Sequence, residues 1–364
     1  MHLIVPIAGR SSRFPDMKPK WMLTHPRGKM MVVEALRGLD LTAVDTVFIV
    51  GLAQHEEQYE FTRFLTDQFE ELGLTDRLRF VLLPEQTRNQ PETIAQAIER
   101  AKIRGPISIK DSDNHFRTPI VPGNWVACFD LHNLEQVNAR NKSYLEADSS
   151  GHLINIVEKK IVSSTFCVGA YSFAAAEEYM RVFKQLQNND QLYVSHIIYS
   201  MILEGAVFTR QYVTDYIDWG TIKEWNAYKR QYSTLFIDLD GTLVANSGQY
   251  SRPGWGETDG IQANIDAVNA LHNTGKVEVI ITTSRTEAFR QATLAQLERV
   301  GIRYHQIIFG LAHGRRIVIN DYANTNPFKS CDAINMKRDS DDLREMLEES
   351  VGFNIDVPAG SPET

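Results

Sequence analysis

Apolar positions along the chain follow two alternating rhythms. Short, nearly continuous runs such as Leu3-Ile4-Val5, Thr46-Val47-Phe48-Ile49-Val50, Leu78-Arg79-Phe80-Val81-Leu82-Leu83 and Ile107-Ser108-Ile109 predict buried strands. Between them lie helical periods. Residues 56–72 carry Tyr59, Phe61, Phe64, Leu65, Phe69 and Leu72 on one broad face, and a helix opening at Thr93 runs through Ala97 and Ile98. Strands alternating with amphipathic helices predict a doubly wound α/β domain with a mixed, Rossmann-like sheet. After the short basic link Lys229-Arg230-Gln231-Tyr232-Ser233 the rhythm restarts. It predicts strands at 235–239, 277–282 and 316–321, with helices at 262–273 (Ile265, Val268, Leu271) and 287–300 (Phe289, Leu294, Leu297, Val300). The expected organisation is a domain over 1–230, a smaller α/β domain over 231–353, and a tail over 354–364 whose Pro358, Gly360, Ser361 and Pro362 predict disorder.

The chemistry concentrates where these strands end. Leu235-Phe236-Ile237-Asp238-Leu239-Asp240-Gly241-Thr242 is an apolar run closed by two carboxylates one residue apart and a glycine. A strand sends alternate side chains to one face, so Asp238 and Asp240 emerge together at its carboxyl end. Magnesium is held by one or two carboxylates plus phosphate oxygens, and such a site leaves Asp238 free to attack phosphorus while Asp240 moves the proton.

The segment resembles the first motif of the haloacid dehalogenase superfamily of phosphohydrolases. Thr282-Thr283-Ser284-Arg285 after the next strand is similar to that superfamily's phosphate-binding Thr or Ser; Thr283 is the first choice, with Thr282 as its neighbour and Ser284 beside it. Asn320-Asp321 resembles the acidic site that completes the metal shell, which makes Asp238, Asp240 and Asp321 the implied magnesium ligands. The superfamily's usual lysine before this site is missing, and Arg315 or Arg316 stands where its charge belongs. The intervals after the first two motifs hold little beyond one loop and one helix each, so this unit is expected to lack a cap and to have its site covered by another domain or subunit, if at all.

At the other end, the first strand breaks into Ala8-Gly9-Arg10-Ser11-Ser12-Arg13, a small basic loop suited to phosphates, and Lys18-Pro19-Lys20-Trp21-Met22-Leu23 follows. Together they resemble the signature of the sugar-phosphate nucleotidyltransferases. Gly9, Ser12 and Arg13 match, Ser11 replaces the second glycine, and Lys20 takes the triphosphate lysine's position. Later pieces follow in that family's order. Asp111-Ser112-Asp113 resembles the acidic magnesium motif, with Asp113 as ligand and Asp111 as helper; His115 reads as a packing residue. Glu158-Lys159 resembles the segment whose glutamate meets sugar hydroxyls and whose lysine meets a phosphate, and Gly169 opens a similar G-x-Y strand. Asp218, in Tyr216-Ile217-Asp218-Trp219-Gly220-Thr221, corresponds to the second magnesium ligand. Gln86 and Gln90 are both candidates for reading the base, and nothing selects between them or among bases.

The resemblances imply a bifunctional enzyme: Mg²⁺-dependent nucleotidyl transfer from a nucleoside triphosphate to a phosphorylated small molecule, with pyrophosphate leaving, and phosphomonoester hydrolysis through an aspartyl phosphate, in the supply of activated precursors for surface polysaccharide. Two alternatives stay open. Either half alone is catalytic: the second, with the first a nucleotide-sugar binding module, or the first, with the second a regulatory or structural domain. Composition narrows the partners. A net charge of −8 over 364 residues speaks against a general nucleic-acid binder. No stretch reaches the length of a membrane span. Three scattered cysteines, Cys128, Cys167 and Cys331, fit reduced thiols and a cytoplasmic setting, and an uncovered second site leaves room for a homo-oligomer.

Overall fold

In the computed structural model the described residues are 1–9, 13–14, 17–133, 141–323, 329–351 and 354–355. Ser11, Ser12 and most of the proposed tail lie outside them. The chain divides into two compact units, Met1–Trp225 and Asn226–Thr364.

The first unit is built on a mixed sheet. Strands His2–Pro6, Thr46–Leu52, Leu78–Leu83 and Ile107–Lys110 are parallel, with His2–Pro6 between Thr46–Leu52 and Ile107–Lys110. Thr165–Phe173 then runs antiparallel to both Ile107–Lys110 and Trp125–Asp130. Successive side chains of the first strand enter opposite cores: Leu3 and Val5 join one cluster and Ile4 the other, all fully buried. Covering both faces in this way is why these strands read as unbroken apolar runs. Two expectations shift. The helix expected over 56–72 is two helices, Ala53–Tyr59 and Phe61–Glu70, broken at Glu60 in the left-handed region (φ 47°), with the Glu56 carboxylate accepting from the Thr62 amide at 2.9 Å. The helix expected from Thr93 begins at Gln90, because the Asn89 side chain accepts from the Glu92 amide at 3.0 Å and Pro91 fits the first turn.

A second, small sheet matters most for the site. Asn114–Pro119 pairs antiparallel with Thr214–Asp218, and the register sets Asp218 opposite Asn114. Two acidic motifs about a hundred residues apart in sequence are thereby made neighbours.

His25, 2% exposed, clusters with the rings of Trp219 and Trp225, whose centroids lie 5.2 and 6.1 Å from its own. Burial, with Arg27 and His115 nearby, lowers its pKa to about 3, and its Nδ1 accepts from the Arg27 amide. The folded state therefore binds the His25 proton more weakly than the unfolded state. Its contribution to stability is complete above pH 6.5 and is lost as pH falls toward 3. Urea midpoints are expected to fall over that window in wild type and to fall less steeply in His25→Gln; parallel curves would refute the assignment.

The second unit holds three parallel strands, Ser233–Asp238, Val277–Thr282 and Gln306–Ile308. Ile237, Val279, Ile281, Ile265, Val268, Leu271 and Leu297 form its core. The helix Gln262–Asn273 and the strand Val277–Thr282 have the expected bounds, and the helix expected over 287–300 is a 3-10 turn, Glu287–Phe289, followed by Arg290–Val300. The strand expected over 316–321 is absent: these residues have no strand partner, and Ile317, Val318 and Ile319 are 71%, 61% and 91% exposed. Among the described residues no helix is long and apolar enough to cross a membrane.

Candidate active site

The site of the first unit sits where parallel strands His2–Pro6 and Ile107–Lys110 end side by side. Lys110 is wholly buried and shapes the turn that follows: its ammonium donates to the Asp111 carbonyl (2.7 Å), the Asn114 carbonyl (3.0 Å) and Asn114 Oδ1 (2.6 Å), and lies 4.5 Å from the Phe116 ring centroid. Burial lowers its pKa to about 8 against the pull of Asp111, Asp113 and Asp218.

Held by this turn, Asp111 and Asp113 take different roles. Asp111 accepts from Gln90 Nε2 at 2.5 Å, and burial followed by the Asp113 charge raises its pKa to about 6. Burial pushes Asp113 up as well, but the Lys20 ammonium and the Arg13 guanidinium outweigh it and hold this carboxyl below the usual range. Lys20 Nζ donates directly to Asp113 Oδ2, and Arg13 stands 3.6 Å from the same oxygen.

Gly169 lies at a register shift of its strand, in the left-handed region (φ 81°), with its carbonyl accepting from the Asp111 amide at 2.8 Å. A β-carbon there would stand 2.4 Å from Asp111 Oδ2. Gly169→Ala is expected to cost about 1–3 kcal/mol and to displace Asp111; an unchanged urea midpoint would contradict this.

Asp218 arrives on the small sheet. Its Oδ1 accepts from the Gly220 amide at 2.9 Å, its Oδ2 from Lys142, and the Trp219 amide donates to the Asp113 carbonyl at 2.9 Å. A β-carbon at Gly220 would lie 3.0 Å from Asp218 Oδ1, 3.5 Å from Asp113 Oδ2 and 3.4 Å from Arg13. Two carboxylates from separate elements thus converge on a space that glycine keeps open. Two converging carboxylates with room for phosphate oxygens fit magnesium, which rarely takes more protein ligands. Among the described residues no group of three or more His, Cys, Asp or Glu is set to hold a metal, so the pair is the candidate and Asp111 is its neighbour.

Two cavities flank these groups. One, about 340 Å³, is lined by Arg13, Gln90, Asp113, Glu158, Lys159 and Asp218 among others. The other, about 380 Å³, is lined by Gly9, Phe14, His55, Tyr59 and Gln86. The two glutamine candidates therefore belong to different cavities: Gln90 is committed to Asp111, and Gln86 is exposed in the second. Ala8 is buried beside Gly9 at the end of the first strand's turn.

No family model and no curated protein matches this chain. Solved structures do. A nucleoside-diphosphate-sugar pyrophosphorylase from Vibrio cholerae RC9 is 19% identical with a TM-score of 0.52, over 62% of this chain and 98% of that one. A Bacillus anthracis protein assigned as a glucose-1-phosphate thymidylyltransferase, solved with sucrose, is 15% identical with a TM-score of 0.51, over 62% and 92%. The amino-terminal part has the fold of these nucleotidyltransferases.

Within this nucleotidyltransferase fold, the groups that motif spacing does not announce are Lys142, Ser143, Tyr193 and Ser195. Glu158 Oε2 accepts from the hydroxyls of Ser143 and Ser195. Lys159, in the left-handed region (φ 57°) and exposed, donates to the Tyr193 hydroxyl at 2.6 Å. His115 is a packing residue, its Nδ1 3.1 Å from the Glu34 carbonyl and its ring 6.3 Å from that of Trp219.

In the second unit the carboxylates are differently engaged. Asp238, half-exposed and raised by burial, has Oδ1 3.1 Å from Arg316; Arg315 is exposed and Arg316 is the arginine that reaches the strand end. Asp240 is clamped by the wholly buried Arg285, which donates to its two oxygens at 2.9 and 2.8 Å, while Ser247 donates to Oδ1 at 2.6 Å. Thr283 is 1% exposed and accepts from the Arg285 amide at 3.1 Å; Thr282 donates to the Ile237 carbonyl, and Ser284 lies 3.5 Å from the Ala312 carbonyl. Asp321 is exposed and is not grouped with Asp238 and Asp240. Among the described residues Asp238, Asp240 and Asp321, the three carboxylates expected to share magnesium, do not form a group that could hold a metal.

Proposed function

We propose that the first unit is a Mg²⁺-dependent nucleotidyltransferase that joins a nucleoside monophosphate to a phosphorylated small molecule, a sugar phosphate or a similar polyhydroxylated ester. The observation carrying this reading is the convergence of Asp113 and Asp218 beside Gly220 with Arg13, Lys20 and Lys142 around them.

Asp113 and Asp218 would hold the metal, whose chemistry when bound is to neutralise charge on phosphate oxygens. Arg13 and Lys20 bind and orient the triphosphate from the loop after the first strand, and Lys110 keeps the Asp111–Asn114 turn in shape from below. An oxygen of the acceptor's phosphate forms a bond to the α-phosphorus as the bond to pyrophosphate breaks. The nucleophile is already anionic, so no general base is needed and positioning plus cations carry the catalysis. A nucleoside triphosphate labelled at the α-phosphorus should yield a labelled product that resists alkaline phosphatase, with γ-label leaving as pyrophosphate. Transfer of γ-label to the acceptor would instead make the unit a kinase and refute the reading.

For the second unit the corresponding proposal is phosphomonoester hydrolysis with Asp238 as nucleophile, supported by its half-exposed position at a strand end beside Arg316. Asp240 would have to part from Arg285 to move a proton. The two activities together would suit one route to an activated precursor. Phosphate release from simple esters that is unaltered in Asp238→Asn would sink this second proposal.

A further inference from the structure

We infer that Lys142, rather than Lys159, receives the acceptor's phosphate, an assignment that rests on the nucleotidyl-transfer reading of the same cleft. Joining two phosphate esters brings negative charge to the carboxylate pair from two sides, and each side needs a cation. Arg13 and Lys20 stand on Asp113. On the Asp218 side the cation is Lys142. Its side chain is 14% exposed, lines the 340 Å³ cavity, and donates to Asp218 Oδ2 and, at 2.8 Å, to the Tyr216 hydroxyl. The centroids of the Tyr216 and Phe166 rings lie 5.4 and 5.7 Å from its nitrogen. An ammonium has three donors. Among the described residues two serve Asp218 and Tyr216, which leaves the third for an anion.

Lys159 is built differently. It is exposed, and its ammonium is tied to the Tyr193 hydroxyl and lies 4.5 Å from that ring's centroid, at the cavity's rim. Backbone pairing fixes how these groups relate. Ser143 is the register partner of Glu158, and the Lys159 amide donates to the Lys142 carbonyl at 2.9 Å, so Lys142 and Glu158 belong to one short antiparallel ladder. Glu158 receives Ser143 and Ser195 on Oε2, and among the described residues its Oε1 is open to a hydroxyl. The ladder therefore offers a phosphate site at Lys142 and a hydroxyl site at Glu158, an arrangement suited to a phosphorylated polyol.

The test uses inorganic phosphate, the anion shared by every phosphomonoester, titrated into the full chain with Mg²⁺ present and followed by calorimetry. Saturable binding is expected in wild type. Lys142→Met should weaken it at least tenfold, Lys142→Arg should restore most of it, and Lys159→Met should stay within twofold of wild type. Absence of saturable binding, binding that Lys142→Met leaves unchanged, or weakening by Lys159→Met comparable to that of Lys142→Met overturns the assignment. If Lys142→Met does not fold, Lys142→Gln, which keeps a polar head beside Tyr216 but no charge, takes its place: the same tenfold weakening is expected, and near-normal phosphate binding in it overturns the assignment. A merely structural role for Lys142 would alter the melting temperature without altering phosphate affinity in the folded variants. Phosphate bound through Lys142 by a protein that releases no pyrophosphate would refute nucleotidyl transfer while leaving this contact intact, so the two failures are separable.

Discussion

Asp113→Asn and Asp218→Asn are each expected to reduce pyrophosphate release by at least about 10²–10³-fold, the scale on which removing one preorganised electrostatic group acts. The substitutions keep size and shape and remove charge. At Asp113 the loss leaves Lys20 and Arg13 facing a neutral amide. The Lys20 and Arg13 charges hold Asp113 ionised despite its burial, so the wild-type group is a carboxylate at neutral pH and the variant lacks a charge the site is built around. At Asp218 the loss releases Lys142 from its ion pair. Weakened Mn²⁺ binding by electron paramagnetic resonance should accompany both, a readout independent of turnover. Near-normal release in either variant would mean that the metal is held elsewhere.

Arg285→Met is expected to lower the stability of the second unit by about 3–5 kcal/mol, because it strands the Asp240 carboxylate without its partner. Arg285 is wholly buried and joins two segments: Asp240 through two bonds, and the helix Arg290–Val300 through Thr293 at 3.1 Å and Gln296 at 2.7 Å. Gln296 in turn donates to the Thr258 carbonyl at 2.7 Å. Lysine cannot reproduce this fork, so Arg285→Lys should fall between wild type and Arg285→Met. Pairing Arg285→Met with Asp240→Leu should cost less than Arg285→Met alone, since no charge is then stranded. Trp255 is the one tryptophan of the second unit and reports its unfolding in urea. Equal midpoints for wild type and Arg285→Met would mean the clamp contributes nothing.

How much of this was legible in the sequence differs by element. The helix Gln262–Asn273 and the strand Val277–Thr282 could be read directly because both bury one regular face against a local core. The break at Glu60 could not, since the apolar period continues across it through Tyr59, Phe61 and Leu65 and only a side-chain cap from Glu56 marks it. The run Ile317-Val318-Ile319 has strand-like composition yet no partner, and composition speaks to fitting a pleated surface without supplying one.

Arg13, Lys20, Asp113 and Asp218 were legible because each sits in a short local pattern at a strand end. Lys142 was not: it is a lone lysine before a strand, and its importance comes from a ladder in which its neighbour Ser143 pairs with Glu158 and from its ion pair with Asp218. Arg285 was visible only as the residue after two hydroxyls. Its clamp on Asp240 joins positions 45 residues apart, and no local pattern reports that.

Nucleotidyl transfer by the first unit is decided by pyrophosphate release by the full chain with Mg²⁺, testing CTP, UTP, GTP, ATP and dTTP each against sugar 1-phosphates, sugar bisphosphates, phosphocholine and phosphonates. Release is expected with at least one pair, dependent on Mg²⁺ and lost in Asp113→Asn. Silence across the whole panel, alongside phosphate release from simple esters, would contradict it and leave the first unit a binding module.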